Sequence, residues 1–248
     1  MIYFLIPVYN EEKNIPNLFE ELKPYLNQED IRIVFSDDGS KDDSTAVIRQ
    51  HFPHAIILGN GKNHGPGFAF NCGFNWILSN SVHEDDIVVT LESDSTSDLQ
   101  ILPEMIAHIK MGADLVLASV YLPKGEIVNA NRFRKFISIQ ANRWFRRFYR
   151  IKPKTLTSFY RVCSVRLLKN INQHFTTIIS ENGFISMLEF LLKASKLNAH
   201  IVEVPVTLNR GKRVDESKMK VVRTSLDYLK FIFKSYRMHK TGHGRQIT

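Results

Sequence analysis

The sequence contains little cysteine and no long apolar run. Only two of its 248 residues are cysteine, Cys72 and Cys163, and they lie far apart, outside any CxxC or Cys/His pattern. This excludes a disulfide framework and a cysteine-based zinc site, and it indicates a reducing, cytoplasmic setting. The opening run IYFLIPV is too short to cross a bilayer and follows no cationic segment, so we expect no export signal.

Acidic residues are absent from one long segment. Residues 131–154, NRFRKFISIQANRWFRRFYRIKPK, carry nine Lys and Arg among several aromatic residues, and the whole chain has a net charge of +8. Such a segment can lie on an anionic membrane surface, where each cation contributes on the order of 1 kcal/mol. The alternatives are an ordinary solvated face with core aromatics, or a nucleic-acid surface.

A second basic helical pattern begins near Met219. Its apolar residues recur at helical spacing with Lys and Arg around them, which predicts a second amphipathic helix. We therefore divide the chain into residues 1–218, of catalytic type, and residues 219–248, a basic amphipathic helix and tail. The hydrophobic content of 44% is ordinary for a globular protein and suffices for one sizeable core.

Short apolar runs alternate with helical patterns through the first half of the chain. Helices are predicted from about residue 14 to 25, from about residue 44, and near residues 68–78, between the runs IYFLIPV, IRIVFS, AIILG and DIVVTLE. This alternation predicts an α/β fold with a mostly parallel sheet. Polar clusters follow each run, and ligands bind at the carboxyl ends of such strands.

Glu92 and Asp94 follow the run DIVVTLE directly. Carboxylates there either cap the next helix or hold Mg²⁺ or Mn²⁺ against an anionic ligand. Capping alone is a weak account, because Ser95, Ser97 or Asp98 could cap the helix without Asp94. The cluster SDDGSKDDS has the same two interpretations, helix capping or binding of a nucleotide's base and ribose. The glycines of NHGPGFAFNCG would let the backbone approach a ligand, although the motif is no standard phosphate loop.

Taken in order, IPVYNEE, SDDGSKDDST, NHGPGFAFNCG and LESDSTSD resemble the signatures of glycosyltransferase family 2. The later segments RKFISIQAN, TLTSFYR, ENGFISMLEFLLKA and IVEVPVTLNRGKRVDESK resemble those of its polyprenyl-phosphate glycosyltransferases. The resemblance implies a GT-A (Rossmann-like) fold with helices flanking the sheet and basic amphipathic helices toward the C-terminus. It implies inverting transfer from a GDP- or UDP-sugar to a polyprenyl phosphate on the cytoplasmic face of a membrane. The resemblance is compatible with binding to a membrane partner subunit and with a homo-oligomer.

The resemblance also implies roles for residues on the donor side. A divalent ion, Mg²⁺ or Mn²⁺, is expected on Asp94, with Glu92 standing where the family has Asp. Arg210 or Arg213 is expected to close on the phosphates and to act in catalysis together with Asp94. The nucleotide-sugar is expected to contact Pro7, Tyr9, Glu11, Asp37, Asp38, Ser93 and, with Ser217 beside it, Lys218.

On the acceptor side, Arg134 and Ser138 match the positions that bind a lipid phosphate, Arg134 also as a catalytic residue. A lipid phosphate is already anionic and needs no general base, whereas a sugar hydroxyl would. The chain departs from the family at Thr96, where some relatives have Gln, and at Val120, where an Arg is often found. The departure at Val120 leaves a sugar-hydroxyl acceptor as an alternative, and Glu92 together with Val120 leaves a non-catalytic nucleotide-sugar-binding subunit. Nucleic acid is not expected as a partner, because acidic loops would repel it.

Overall fold

This computed structural model describes residues 1–26, 28–129, 132–214 and Phe231, except the side chains of residues 132–138 and 141. Its strands are β1 (Ile2–Val8), β2 (Ile31–Asp37), β3 (Ile56–Leu58), β4 (Ile87–Thr90), β5 (Leu115–Ser119), β6 (Glu126–Val128), β7 (Arg161–Ser164), β8 (Ile201–Pro205) and β9 (Thr207–Asn209). Its helices are α1 (Ile15–Leu22), α2 (Ser44–His51), α3 (Pro66–Asn80), α4 (Leu102–Lys110), α5 (Arg132–Tyr149), α6 (Val165–Phe175) and α7 (Ser186–Lys196). Short 3₁₀ turns at Lys23–Tyr25, Leu99–Ile101 and Arg210–Lys212 extend or join these elements.

Seven of the described strands form one sheet in the order β3-β2-β1-β4-β7-β5-β8. Strand β7 runs antiparallel to both of its neighbours, and the remaining pairs are parallel. The predicted mostly parallel α/β sheet is thus confirmed. Because β2, β1 and β4 are parallel neighbours, the loops that follow them leave the same edge of the sheet side by side.

The sheet is buried on both faces, which is why its central strands are almost continuously apolar. Helices α1, α2 and α4 pack with one hydrophobic cluster, which includes Phe4, Phe35 and Val89. Helices α3, α6 and α7 pack with another, which includes Leu5, Phe74 and Leu191. Alternate residues of one strand therefore belong to different cores, and this fixes which residues of each strand can face a site at its end.

The predicted helices of the first half are confirmed, with α1 ending in a 3₁₀ turn that reaches Tyr25. Helix α5 accounts for the first basic segment. The helix predicted from residue 219 and the tail fall outside the described residues, apart from Phe231, which is buried with its ring 6.3 Å from that of Tyr149. None of the helices in the described ranges is long and apolar enough to cross a membrane.

Candidate active site

The loops after β1 and β2 are joined by hydrogen bonds at the carboxyl edge of the sheet. The backbone N–H of Asn10 donates to Ser40 Oγ (2.9 Å), and that of Lys41 donates to Asn10 Oδ1 (2.7 Å). The backbone N–H of Glu11 donates to Ser44 Oγ (2.8 Å). The polar residues of the two motifs thus bind one another, and together they hold Glu11 in a fixed, buried position.

Asp94 lies in the loop after β4 and is buried. Its Oδ1 accepts hydrogen bonds from Thr96 N (3.1 Å) and Thr96 Oγ1 (2.6 Å). The following helical turn is capped instead by Asp98, which accepts from Gln100 N. The capping interpretation of Asp94 is therefore wrong, and Thr96 orients its carboxylate.

Arg213 joins the loops after β1 and β4. One guanidinium nitrogen, Nη1, donates to Asp94 Oδ2 (2.7 Å), and the other, Nη2, donates to Glu11 Oε1 (2.9 Å). Of the two arginines considered from the sequence, Arg213 is the one in contact with the acidic residues; Arg210 is exposed, in the short turn before it. The structure therefore brings Glu11, Asp94 and Arg213 together from three distant parts of the chain.

Glu92 lies close to Asp94 and Arg213. It accepts a hydrogen bond from Ser97 Oγ (3.2 Å). Burial, and next the negative charge of Asp94, raise the pKa of Glu92 to about 7, against the opposing effect of Ser97, Arg213 and Arg210. Without a further cation, the Glu92 carboxyl is therefore only partly ionised at neutral pH.

The two aspartates after β2 bind the backbone. Asp38 accepts from His64 N through Oδ1 and from Gly65 N through Oδ2, both at 2.8 Å. Burial raises the pKa of Asp38, and those two hydrogen bonds oppose the rise. Asp37 accepts from Ser40 N at 3.2 Å through each oxygen. Asp38 thus orders the loop before α3, a role that the sequence analysis did not foresee.

These observations place clustered carboxylates and one guanidinium at the carboxyl edge of a parallel sheet. The family described as Glycosyl transferase family 2 matches residues 3–175. The chain belongs to glycosyl transferase family 2. It is a glycosyltransferase, as the motifs predicted.

Relatives match most of the length of this glycosyltransferase, and the following two are examples. The undecaprenyl-phosphate mannosyltransferase of Micrococcus luteus is 28% identical over 87% of this chain and 86% of its own length. The polyprenol monophosphomannose synthase of Mycolicibacterium smegmatis is 26% identical over 87% of this chain and 79% of its own. Among solved structures, glucosyl-3-phosphoglycerate synthase from Mycobacterium tuberculosis, in complex with Mn²⁺, UDP and glucosyl-3-phosphoglycerate, is similar with a TM-score of 0.62 and 18% identity, covering 94% of this chain and 75% of that one. This likeness confirms the GT-A fold.

The residues of the site are suited to binding a divalent ion whose remaining ligands come from a substrate. Within the described ranges, no three His, Cys, Asp or Glu side chains form a closed metal cage. Mg²⁺, whose hard-oxygen preference Mn²⁺ shares, is commonly held by one or two carboxylates while substrate phosphates complete its coordination. Asp94 with Glu92 can supply such ligands, and the guanidinium on Asp94 Oδ2 marks a position that accommodates a cation.

The glycines before α3 approach the chain's own backbone. A Cβ on Gly67 would collide with the carbonyl oxygen of Glu181, and one on Gly65 with that of Asn182. Gly67 N donates to Asn182 O (2.8 Å), and Gly65 has a φ of +106°. The sequence analysis expected these glycines to let the backbone approach a ligand. In the structure they let it approach the backbone of residues 181–182.

A buried ion pair on α7 holds that segment, and sequence reasoning missed it. Lys193 Nζ lies 2.7 Å from Glu189 Oε1, with both side chains almost fully buried. Glu189 accepts from the backbone N–H groups of Ser180 and Glu181, and Lys193 donates to Thr177 O (2.9 Å). Glu189 and Lys193, four residues apart with apolar residues on both sides of each, were the signal that could have revealed the pair.

Arg161 of the segment TLTSFYR is also a structural cation. It is buried and donates to three carbonyl oxygens, those of Ser158 (2.7 Å), Leu156 (2.8 Å) and Met187 (2.9 Å). Through these bonds it fixes the loop before β7 against the start of α7. The charge of this motif is thus used to hold the backbone of the fold.

Helix α5 divides its aromatic residues between two faces. Phe145 is buried and Tyr149 packs against the core, whereas Trp144 is 50% and Phe148 37% exposed. The rings of Trp144 and Phe148 stack at 5.3 Å. Arg143, Arg147 and Arg150 are exposed beside them. We call Arg143, Trp144, Arg147, Phe148 and Arg150 the α5 outer face.

Three further predicted residues, Pro7, Tyr9 and Ser93, lie at the carboxyl ends of β1 and β4. Pro7 and Tyr9 are partly buried at the end of β1, and Ser93 is buried between Glu92 and Asp94. Val120 packs against the core in place of the missing Arg. The side chains of Arg134 and Ser138, and all of Ser217 and Lys218, lie outside the described residues.

Proposed function

We propose that this glycosyltransferase moves a sugar, with inversion, from a nucleoside-diphosphate sugar to a polyprenyl phosphate at a membrane surface. The observation that carries the donor half is the group of Glu11, Asp94 and Arg213 at the carboxyl edge of β1 and β4. The acceptor half is supported by the two relatives, which are named for undecaprenyl phosphate and polyprenol.

On the donor side, the diphosphate is expected beside Asp94. Asp94, with Glu92 as a weaker ligand, would hold Mg²⁺ or Mn²⁺, which when bound neutralises charge on the leaving diphosphate. Arg213 and Arg210 lie close enough to Glu92 to affect its pKa, and they supply positive charge at the same place. Preorganised charge of this kind lowers a barrier by several kcal/mol. Asp38 and Asp37 shape the loops against which the nucleotide would lie.

On the acceptor side, a phosphate can attack the sugar without losing a proton to the protein. The carboxylates of Glu11, Asp94 and Asp38 are bound to Arg213 or to backbone N–H groups, which suits them to positioning rather than to proton removal. Glu92, which accepts from Ser97 Oγ, is assigned to the metal ion. Arg134 and Ser138, on the first turns of α5, are our proposed phosphate ligands.

We further propose that the protein binds the cytoplasmic face of the membrane peripherally. The α5 outer face combines two exposed aromatic rings with exposed arginines, the arrangement in which rings enter the interface while cations meet anionic headgroups. A polyprenyl phosphate embedded in that bilayer would then reach Arg134 on the same helix.

The test is transfer of radiolabelled sugar to undecaprenyl phosphate or dolichyl phosphate from a panel of GDP- and UDP-sugars with Mn²⁺ or Mg²⁺. A chloroform-soluble, acid-labile product is expected. Arg134→Ala should slow transfer on the order of a hundredfold while nucleotide binding persists. Arg143→Ala, which removes the same charge from the α5 outer face, is the matched control and should retain transfer in detergent. A glycosylated soluble sugar with no lipid product would overturn the acceptor assignment.

A further inference from the structure

The guanidinium of Arg213 lies against Asp94, at the position where a metal ion would be held. Its two terminal nitrogens contact Asp94 Oδ2 and Glu11 Oε1 at 2.7 and 2.9 Å. Its Nε is buried and has no hydrogen-bond partner among the described residues. The two carboxylates therefore fix the position of the side chain, and this position leaves its Nε–H group without a partner among the described residues.

One oxygen of each carboxylate accepts hydrogen bonds from a neighbouring residue, and the other oxygen contacts the guanidinium. Thr96 occupies Asp94 Oδ1, and Asn14 Nδ2 donates to Glu11 Oε2. Two fixed, buried negative charges repel each other unless a cation lies between them, and removing the cation from such a group is strongly destabilising. A positive charge between the two carboxylates, from Arg213 or from a metal ion, therefore stabilises the site.

A divalent ion on Asp94 would need the oxygen that Arg213 uses. Asp94 Oδ1 is already occupied by Thr96, and an ion placed on Oδ2 would lie against the guanidinium, with repulsion between the two positive charges. Because Arg213 is part of the same chain, its effective concentration at Asp94 is high. A free ion therefore competes poorly with it, whereas a diphosphate would offer Arg213 a new anionic partner.

The segment that carries Arg213 is attached in a way that permits such an exchange. Lys212 pairs with Glu21 at the surface (2.8 Å), and Val214 N donates to Asn14 Oδ1 (3.0 Å). An exposed ion pair contributes about 0–1 kcal/mol, so among these described contacts the two bonds of Arg213 to buried carboxylates hold the segment most strongly. Moving Arg213 off the carboxylates would therefore release the end of the segment.

We propose that Arg213 stands in for the donor's metal ion, occupying Asp94 until a metal–nucleoside diphosphate arrives and then moving to the diphosphate. The proposal rests on the donor site proposed above. It predicts something that the donor site alone does not predict. Free metal ion should bind weakly, and nucleotide should be needed for the ion to bind tightly.

The experiment measures Mn²⁺ binding to the metal-free full-length protein by the loss of the free-Mn²⁺ electron paramagnetic resonance signal, without sugar transfer. Arg213→Ala should bind Mn²⁺ alone at least tenfold more tightly than the unaltered protein. The unaltered protein should gain affinity when GDP or UDP is added. Lys212→Ala, the neighbouring cation that pairs with Glu21, is the control and should bind Mn²⁺ like the unaltered protein. Mn²⁺ alone should also raise the melting temperature of Arg213→Ala more than that of the unaltered protein.

Equal Mn²⁺ affinities for Arg213→Ala and the unaltered protein, with tight binding of both when nucleotide is present, would overturn the stand-in role and leave the donor site intact. Absence of Mn²⁺ binding in every variant, with nucleotide present, would overturn the donor site as well. Arg213→Gln, which keeps the length of the side chain but not its charge, gives the same comparison if Arg213→Ala does not fold. Adding Asp94→Asn to either variant must abolish the gained affinity.

Discussion

Replacing Lys193 by Met should destabilise the protein, because it leaves the buried carboxylate of Glu189 without its cationic partner. Met keeps most of the buried stem and removes the ammonium group, which contacts Glu189 Oε1 (2.7 Å), Thr177 O (2.9 Å) and Ile178 O (3.3 Å). Breaking a buried ion pair on one side costs about 3–5 kcal/mol. Because the N–H groups of Ser180 and Glu181 still solvate the Glu189 carboxylate, we expect about 3 kcal/mol.

Urea denaturation measures this loss. With a slope of about 3 kcal/mol per molar urea, the midpoint should fall by about 1 M. Lys196→Met, three residues along the same helix and exposed, is the matched control and should change the free energy of unfolding by no more than about 0.5 kcal/mol. Adding Glu189→Gln to Lys193→Met should restore part of the stability, because the unpaired charge is gone. If Lys193→Met unfolds at the same urea concentration as Lys196→Met, the ion pair does not hold the segment at residues 177–181.

Three further results are expected. Asp38→Asn replaces one of two acceptor oxygens, so His64 N or Gly65 N loses its partner; thermal denaturation should show a loss of about 1–3 kcal/mol, and an unchanged melting curve would contradict this role. In metal-free buffer, the pKa of Glu92 near 7 lies above its ordinary value of 4.5, so the native state retains a proton that the unfolded state loses, and stability should fall as pH rises between those values. Glu92→Gln should remove that fall, a difference of up to about 3 kcal/mol at pH 7, measured by urea denaturation at several pH values. Trp144→Ser with Phe148→Ser should reduce sedimentation with anionic liposomes severalfold, and equal sedimentation at low salt would refute the membrane role of the α5 outer face.

The alternation of apolar runs and helical patterns was enough to predict the sheet, because burial on both faces forces continuous apolar strands. The position of the site followed as well, since the loops after parallel neighbours leave one edge. The order of the motifs identified the family. These features are local or depend only on the order of elements along the chain, and a sequence displays both directly.

The pairing of charges in the site depends on how distant parts of the chain pack together. Arg213 lies 119 positions from Asp94 and 202 from Glu11, and nothing in RGKR distinguishes it from Arg210. Likewise, the glycines before α3 permit close approach to any partner, and only the fold makes that partner the backbone of residues 181–182.

In α5, the spacing of four residues pairs Trp144 with Phe148 and Phe145 with Tyr149 on separate faces, and this pairing can be read from the sequence. Which pair is buried depended on how the helix lies against the core. The physical reason is the same for the helix face and for the charges: a side chain's partner across the fold is set by where whole elements pack, a property that no short stretch of sequence contains.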